Sequence, residues 1–540
     1  MNSLKTSLGY SLLATVLAGS VALAAPPGSQ PSAPAPDLQV SSQAALPKPG
    51  TGNFVERFIR DLRSSGLEVS VGYPMLYTQK DCVYTYPVFH SCYGNNPASP
   101  YVIPVVKSWP DEYVDPAMVN GFGRTRPGYS ATYRLDPREA IIFFGKMPPP
   151  ARYIGLQTWM WTTGWVSDDS PWDEDAWALF EERAGPLIQY LLAQVPGNPD
   201  LVQSFSSVDN NINNVVMEKA SGTPWGQIRY WVITPDQRTD EAVRAVLKDL
   251  GVDESEIFTE GIPETFQGAP VGPLGLDAQA VDFLTMLRYA MPEDEQAAEV
   301  WRKSLPLSVL RVRRVPWAGD PEPYPNHDAD ARTAVDESYL GDDLQALVAA
   351  VNDRAASERL VPEKQEPMVD LLIDLGQFGP DCRVIGMNCL GDNQDASYFL
   401  FKPKPLDTGK IYAVVGTLAT ETGNATYVGL SVNDASLLKG VLNISDTELK
   451  GSANGYGDFD PFFVHFFTRD CDAIAGLADG MCTTITTDMV PLAGDDKAPG
   501  DPMLKGTFSA AVRAYVKPGS ERGPDSTKQL RPWVLTFSLE

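Results

Sequence analysis

Two predicted strands and the break between them occupy residues 140–161, AIIFFGKMPPPARYIGLQTWMW. Residues 140–145 and 153–161 are rich in β-branched and aromatic side chains, which favour strands. The prolines at 148–150 interrupt the pattern, because proline cannot donate a hydrogen bond to a neighbouring strand. Residues 129–135 form a similar run that ends at Asp136-Pro137. The pattern predicts three consecutive strands.

Outward from these strands, the chain alternates between helix and strand patterns. Helix signals predict helices at 239–250, 278–291, 293–304 and 336–359. Apolar runs rich in β-branched residues predict strands at 228–234 and 305–315. This part of the chain is therefore expected to mix helices and strands.

Beyond residue 367 the pattern changes to short strands separated by Gly, Asn, Asp and Pro. These predicted strands are 411–419, 427–433, 462–468, 507–516 and 533–539. Such spacing is typical of an antiparallel sandwich. The predicted fold class is therefore α+β, with a mixed helix and strand region followed by an antiparallel β-sandwich-like region.

Five segments make up the predicted organisation. They are a signal peptide at 1–25, a linker at 26–50, an α+β domain with Trp-rich strands at 51–335, a connecting helix at 336–366 and an antiparallel β domain at 367–540. The linker is rich in Pro, Ala and Ser, a composition that cannot build a core.

The first 25 residues predict export. Lys5 precedes an apolar run at 12–23, and Ala22-Leu23-Ala24 fits the small-x-small pattern before a signal peptidase cut. The run is too short to span a bilayer. We therefore expect a secreted or periplasmic protein, with no membrane insertion after signal cleavage.

Charge narrows the class of partner. The chain carries 43 Lys and Arg against 69 Asp and Glu, a net charge of −26. Such an acidic surface repels nucleic acid and anionic lipid. A small molecule or glycan is the expected partner, and no nucleic acid is expected to bind.

The six cysteines fall into three close pairs. They are Cys82 with Cys92, Cys382 with Cys389, and Cys471 with Cys482. Local pairs in an exported chain favour disulfides. Six cysteines allow about 15 connectivities, and nearest-neighbour pairing is the simplest of them. None of the spacings fits a C-x2-C metal site.

A tryptophan cluster is the candidate ligand-binding site. Trp159, Trp161 and Trp165 share one face of a strand if it continues that far, and Asp168 and Asp169 follow. Indole faces beside carboxylates suit stacking on a sugar ring or a cation. The same pattern fits a strand packed into the core, with the acids opening a helix.

A second candidate cluster lies at residues 389–395. Asp392, Asn393 and Asp395 offer short oxygen-bearing side chains in a turn, and oxygen ligands are those that Ca²⁺ takes. The spacing lacks the calcium-loop pattern, and a turn rich in Asp and Asn explains it equally. The polar run at 209–214 is open to the same interpretation.

His465 is the candidate proton carrier, because an imidazole buried among aromatic side chains has a lowered pKa. The sequence contains three histidines, and His465 lies in the run FFVHFF at 462–467. A histidine that packs in the core fits the same run. No G-x-S-x-G, H-E-x-x-H or phosphate-binding loop motif occurs.

Residues 129–159 also carry a resemblance. Tyr129-Ser130 and Leu135-Asp136 precede a second pattern made by Arg152, Tyr153 and Gln157. This stretch resembles exported bacterial β-sandwich proteins known as domains of unknown function. The resemblance implies a β-sandwich outside the cytoplasm and brings no catalytic residue.

Binding is the function that these patterns favour. We expect an exported soluble protein that binds a neutral or cationic small molecule or glycan through the Trp-rich face. One alternative is a secreted hydrolase of glycans or esters that uses carboxylate and His465 acid–base chemistry. The other is a structural protein of the cell envelope.

Overall fold

A computed structural model describes the chain in ten stretches. They are residues 52–94, 96–116, 118–164, 194–195, 198–315, 319–371, 382–383, 387–474, 477 and 480–539. The predicted signal peptide and linker, together with Trp165, Asp168 and Asp169, lie outside the described residues.

Two sheets form the core of the first part of the chain. One has five strands in the order Leu67–Val71, Leu307–Arg314, Glu139–Lys146, Ile228–Thr234 and Ile257–Gly261. The other has the main order Tyr73–Tyr77, Tyr101–Lys107, Asp282–Pro292, Ala151–Gly164, Asn198–Ser207 and Gln194–Val195, with short strands Tyr129–Ser130, Thr132–Tyr133 and Ile212–Asn213 alongside. Among these pairs only the last two strands of the five-stranded sheet run parallel.

Apolar side chains join the two sheets and a helical layer. Phe143 and Trp231 of the five-stranded sheet pack with Leu156 and Leu287 of the larger one. On its other face, the five-stranded sheet is covered by helices Gly52–Ser64 and Gln237–Asp249. Asp236 caps the second helix by accepting a hydrogen bond from the Arg238 amide.

Two five-stranded sheets face each other in the second part of the chain. One has the order Leu360–Pro367, Trp533–Leu539, Lys410–Thr417, Phe462–Thr468 and Cys482–Thr484. The other, here the inner sheet, has the order Val369–Asp370, Ala396–Pro405, Thr507–Tyr515, Tyr427–Asp434 and Lys439–Ser445. A shared core lies between them, and helix Gly341–Ser357 covers the outside of the first.

Shorter elements complete the described chain. The remaining α-helices are Cys82–Phe89, Asn214–Ser221, Glu295–Ser304 and Asp446–Leu449. Single 3₁₀ turns occur at Gln79–Asp81, Glu254–Glu256, Glu337–Leu340, Asn454–Tyr456, Cys471–Ala473 and Ser526–Lys528, and a two-residue hairpin pairs Thr265–Phe266 with Ala269–Pro270. None of the described helices has the length and apolarity needed to cross a bilayer.

The predicted α+β class is confirmed, and one predicted element is wrong. Residues 278–291 were expected to form a helix, whereas Asp282–Pro292 is a strand in the interior of the large sheet. Both faces of this strand are buried, so its side chains lack the alternation by which a strand is recognised. The connecting helix predicted at 336–366 is shorter than expected. It spans Gly341–Ser357 and is followed by the strand Leu360–Pro367.

The three predicted disulfides are confirmed: Cys82–Cys92, Cys382–Cys389 and Cys471–Cys482. Each closes a short loop, with sequence separations of 10, 7 and 11 residues. One cysteine of each of the first two disulfides, Cys92 and Cys389, lies beside the space between the two parts of the chain.

Candidate ligand-binding site

A cavity of about 110 Å³ lies where the large sheet of the first part faces the inner sheet of the second. Strand Thr507–Tyr515 shows how the second wall is built. Ala510, Val512 and Ala514 point into the sandwich core, so Arg513 and Tyr515 point the other way, into the cavity. One water molecule needs only about 10–15 Å³ of such space, so the cavity accommodates a small organic molecule.

Five tyrosines from both walls line this cavity: Tyr77, Tyr93, Tyr101, Tyr398 and Tyr515. Burial raises the pKa of Tyr93 and Tyr515, so both keep their hydroxyl protons at neutral pH. Asn96 connects the two walls, because its side-chain amide lies 3.3 Å from the Tyr515 hydroxyl and its backbone amide donates to Tyr101 at 3.2 Å. The walls thus present aromatic rings and neutral hydroxyls.

Arg288 brings a positive charge to the first wall. It is only 6% exposed, and its guanidinium donates to the Gln157 side-chain oxygen at 3.1 Å and to the Gly391 carbonyl at 3.4 Å. The guanidinium carbon stacks over Trp159, 4.5 Å from the ring centre. Asp395 is buried, which raises the pKa of its carboxyl, and the charge of Arg288 opposes that shift without forming an ion pair.

Arg513 brings a second positive charge from the opposite wall. It is 6% exposed, and its Nη2 donates to the Gly94 carbonyl. Its Nη1 is buried and finds no hydrogen-bond acceptor in the described part of the chain. The side-chain oxygen of Asn433, another lining residue, is likewise buried and finds no donor among the described residues.

Neither arginine has a carboxylate partner. Across the described residues, no Asp or Glu oxygen lies within 4.0 Å of a guanidinium nitrogen of Arg288 or Arg513, whereas the buried Arg311 pairs with both Glu112 and Glu139. A buried charge without a counter-ion is costly, and arginine does not lose its proton. Two such groups in one cavity favour an anionic occupant.

The two described tryptophans of the predicted site pack in the core. Trp159 and Trp161 have no exposed surface. Trp159 donates its indole N–H to the Asp392 carbonyl at 2.8 Å, and Trp161 is surrounded edge-on by Phe89, Phe122 and other rings. A stacking platform needs a free ring face, so Trp159 and Trp161 support the cavity from behind.

The predicted calcium candidates are occupied by protein donors. Asp392 accepts from the Ser207 amide and hydroxyl at 2.7 and 2.6 Å. Asp395 accepts from Tyr153 at 2.8 Å, and Asn393 accepts from Asn211 at 2.7 Å. No three acidic, His or Cys side chains of the described chain converge as metal ligands.

The two polar runs of the sequence meet each other. Residues 392–395 from the second part contact Ser207 and the polar run at 209–214 from the first. The pairs are Ser207–Asp392, Asn211–Asn393 and Asn213–Asp395, the last at 2.7 Å. This interface holds Leu390 and Gly391 in the cavity wall. Each run alone has the composition of a turn, and only the fold brings them into contact.

His465 is buried in strand Phe462–Thr468 and is 2% exposed. Burial lowers its pKa to about 4, as predicted. Its Nε2 lies 2.8 Å from the Thr483 hydroxyl, and Nδ1 finds no partner among the described groups. A catalytic histidine of a hydrolase is normally oriented by a carboxylate, and none holds His465 in the described structure.

Comparisons with known proteins assign no family. No protein-family model and no curated protein sequence matches the chain. An uncharacterised protein from Burkholderia cenocepacia aligns with 92% of this chain and 91% of its own, at 10% identity and a TM-score of 0.33. The VPA0106 protein from Vibrio parahaemolyticus aligns with 88% of this chain and 98% of its own, at 10% identity and a TM-score of 0.32. These comparisons assign neither a family nor a function to the chain, and the resemblance at residues 129–159 stays a prediction.

Proposed function

We propose that the protein binds a small amphipathic anion in the cavity between the two sheets. The observation that carries this function is the pair of buried guanidinium groups, Arg288 and Arg513, which face an aromatic cavity without a carboxylate partner among the described residues. The protein as a whole has a net charge of −26, so its acidic surface repels such a ligand while the cavity attracts it.

The proposed function is still ligand binding, as expected from the sequence. The proposed ligand is an anion, whereas the sequence predicts a neutral or cationic one. A cationic ligand in this cavity meets two like charges at low dielectric, which opposes binding. An anion completes the hydrogen bonding of Arg513 Nη1 and offsets both charges. Its apolar body fits against side chains such as Phe122, Phe205 and Met286.

We further propose that the protein acts outside the cytosol. Two independent features support this location: the signal-peptide pattern at residues 1–25 and the three disulfides. Disulfides persist in oxidising compartments and are reduced in most cytosols.

Calorimetric titration with three ligands that share one ring tests the binding function. The ligands are phenylacetate, its neutral isostere phenylacetamide, and phenethylamine. We expect phenylacetate to bind most tightly. We also expect Arg288→Met and Arg513→Met each to weaken it by at least about tenfold, the size of one lost charge-assisted hydrogen bond.

Arg354→Met is the matched control, since Arg354 belongs to helix Gly341–Ser357 and its guanidinium lies over the Tyr456 ring, outside the cavity lining. It removes the same charge and should bind phenylacetate as the unmodified protein does. Tighter binding of phenethylamine, or an equal loss in all three variants, contradicts the proposed function. Absence of saturable binding by any ligand favours the structural-protein alternative.

A further inference from the structure

Two unsatisfied polar atoms belong to one wall of the cavity. They are Arg513 Nη1, a charged donor, and Asn433 Oδ1, an acceptor. Both side chains are at least nine-tenths buried, with exposures of 6% and 2%. Buried polar groups are nearly always hydrogen-bonded, so an unmatched donor and an unmatched acceptor at one site indicate a missing partner.

Gly94 brings these two residues to one place. An atom at the position of the Cβ that Gly94 lacks would lie 3.7 Å from Asn433 Oδ1 and 4.0 Å from Arg513 Nη2. The Gly94 carbonyl also accepts a hydrogen bond from that Nη2, which holds the guanidinium beside Gly94. Nη1 is bonded to the same guanidinium carbon as Nη2, so both unmatched atoms lie in the wall around Gly94, where one small ligand can contact both side chains.

The complementary ligand group combines an anionic oxygen with a hydrogen-bond donor on the neighbouring atom. The oxygen satisfies Arg513, and the donor satisfies the Asn433 oxygen. A hydroxyl suits this position better than an ammonium group, because an ammonium would add a third positive charge beside Arg288 and Arg513.

An aromatic body fits the rest of the cavity. Tyr93 and Phe205 meet edge to face there, with ring centres 5.2 Å apart, and both line the cavity. Further rings pack against such an arrangement in the same geometry.

We infer that the cavity selects an aromatic 2-hydroxycarboxylate, whose carboxylate Arg513 binds and whose hydroxyl donates to Asn433. This inference rests on the proposed anion-binding function and deepens it. Asn433 is thereby the residue that determines specificity, and Arg513 and Arg288 provide the affinity for the charge.

Mandelate and phenylacetate test the inference, because they differ by one hydroxyl group. We expect the oxidised full-length protein to bind mandelate about tenfold more tightly, the effect of one hydrogen bond to a buried acceptor. Asn433→Leu should remove this preference. Phenylacetate titrated into the same variant reports whether the cavity is still formed. The ratio of the mandelate and phenylacetate affinities of the unmodified protein is a test that does not depend on the folding of any variant.

Asn443→Leu is the matched control. Asn443 lies on the adjacent strand Lys439–Ser445 and also has a buried, unmatched side-chain oxygen, but it does not line the cavity. This variant should keep the preference for mandelate.

The outcomes separate the two levels of the proposal. Equal affinity for mandelate and phenylacetate, or a preference that survives Asn433→Leu, overturns the inference and leaves anion binding intact. Tighter binding of phenylalanine than of mandelate overturns the choice of a hydroxyl. Failure of every carboxylate to bind overturns both the inference and the proposed function.

Discussion

The guanidinium of Arg288 lies over the indole of Trp159, with 4.5 Å between its carbon and the ring centre. The two residues come from adjacent strands of the large sheet, Asp282–Pro292 and Ala151–Gly164. The ring face attracts the buried guanidinium through a cation–π interaction. Trp159 thus fixes the position of one of the two cavity charges.

Replacement of Trp159 should destabilise the fold. We expect Trp159→Leu to lower the free energy of unfolding by about 3 kcal/mol, because a fully buried indole leaves a void. Its lost N–H also leaves the Asp392 carbonyl with one donor fewer. Denaturant unfolding measures the change. Trp533→Leu, on a partly exposed position of strand Trp533–Leu539, should lose less than half as much, and equal losses would contradict the role of Trp159.

Two of the three disulfides should affect ligand affinity. Cys92 and Cys389 line the cavity, whereas Cys482 begins strand Cys482–Thr484 in the other sheet of the sandwich, outside the cavity lining. We expect paired Cys→Ser replacement of Cys82–Cys92 or Cys382–Cys389 to weaken phenylacetate binding, measured by calorimetry.

Replacement of Cys471–Cys482 is the control. Its loop of 11 residues is similar in length to the others, at 10 and 7, so all three variants should lose a similar stability of about 2–3 kcal/mol. Affinity lost to the same extent in all three would show that the effect is one of stability alone.

His465 should make the protein less stable on acidification. Burial lowers its pKa from 6.5 to about 4, so between these values the unfolded chain binds a proton that the folded protein does not. The free energy of unfolding should therefore fall as the pH drops from 6.5 to 4, by at most about 1.4 kcal/mol per pH unit from this group. Denaturant unfolding at several pH values should show that His465→Gln removes this component.

His327→Gln should change the pH dependence in the opposite sense. A hydrogen bond to Asp209, 2.7 Å away, raises the pKa of His327 despite partial burial. The stabilisation from protonated His327 is present below pH 6.5 and is lost as the pH rises through its raised pKa. The same sign of change in the two histidine variants would contradict these assignments.

Glu260 should make the protein less stable on alkalinisation. Burial raises its pKa from 4.5 to about 8 and outweighs the hydrogen bonds from the Thr158 hydroxyl and amide. The folded protein keeps a proton that the unfolded chain has lost, so stability falls as the pH rises from 4.5 to 8. Unfolding curves across this range should show that Glu260→Gln removes this component, and the exposed control Glu241→Gln should not.

Local patterns in the sequence predicted most of the strands. Ile228–Thr234, Phe462–Thr468 and Trp533–Leu539 have the predicted bounds, because each is an apolar run closed by turn residues. The strand Asp282–Pro292 was predicted as a helix because burial of both its faces erases the alternation. Its strand conformation depends on pairing with Ala151–Gly164, a strand that lies more than a hundred residues away along the chain.

The cavity could not be predicted from sequence spacing, since its walls combine residues as distant as Tyr93 and Arg513. One signal was nevertheless present. Arg288 and Arg513 are each the one charged residue of a run, FLTMLRYAM and FSAAVRAYV, and a lone charge in a buried strand needs a partner. The tryptophans predicted a binding surface wrongly at positions 159 and 161, which are fully buried, because large aromatic residues are equally suited to cores and to binding surfaces.

The pairing of residues 392–395 with Ser207, Asn211 and Asn213 makes completion of the first part of the fold depend on the second part of the chain. The first part of the chain leaves the ribosome earlier, yet the partners of its buried amides and hydroxyls lie almost two hundred residues downstream. Those groups must stay hydrated until the later segment arrives, because an unpaired buried polar group is too costly to keep. Closure of the cavity therefore requires both segments, and a chain cut short before residue 392 cannot assemble it.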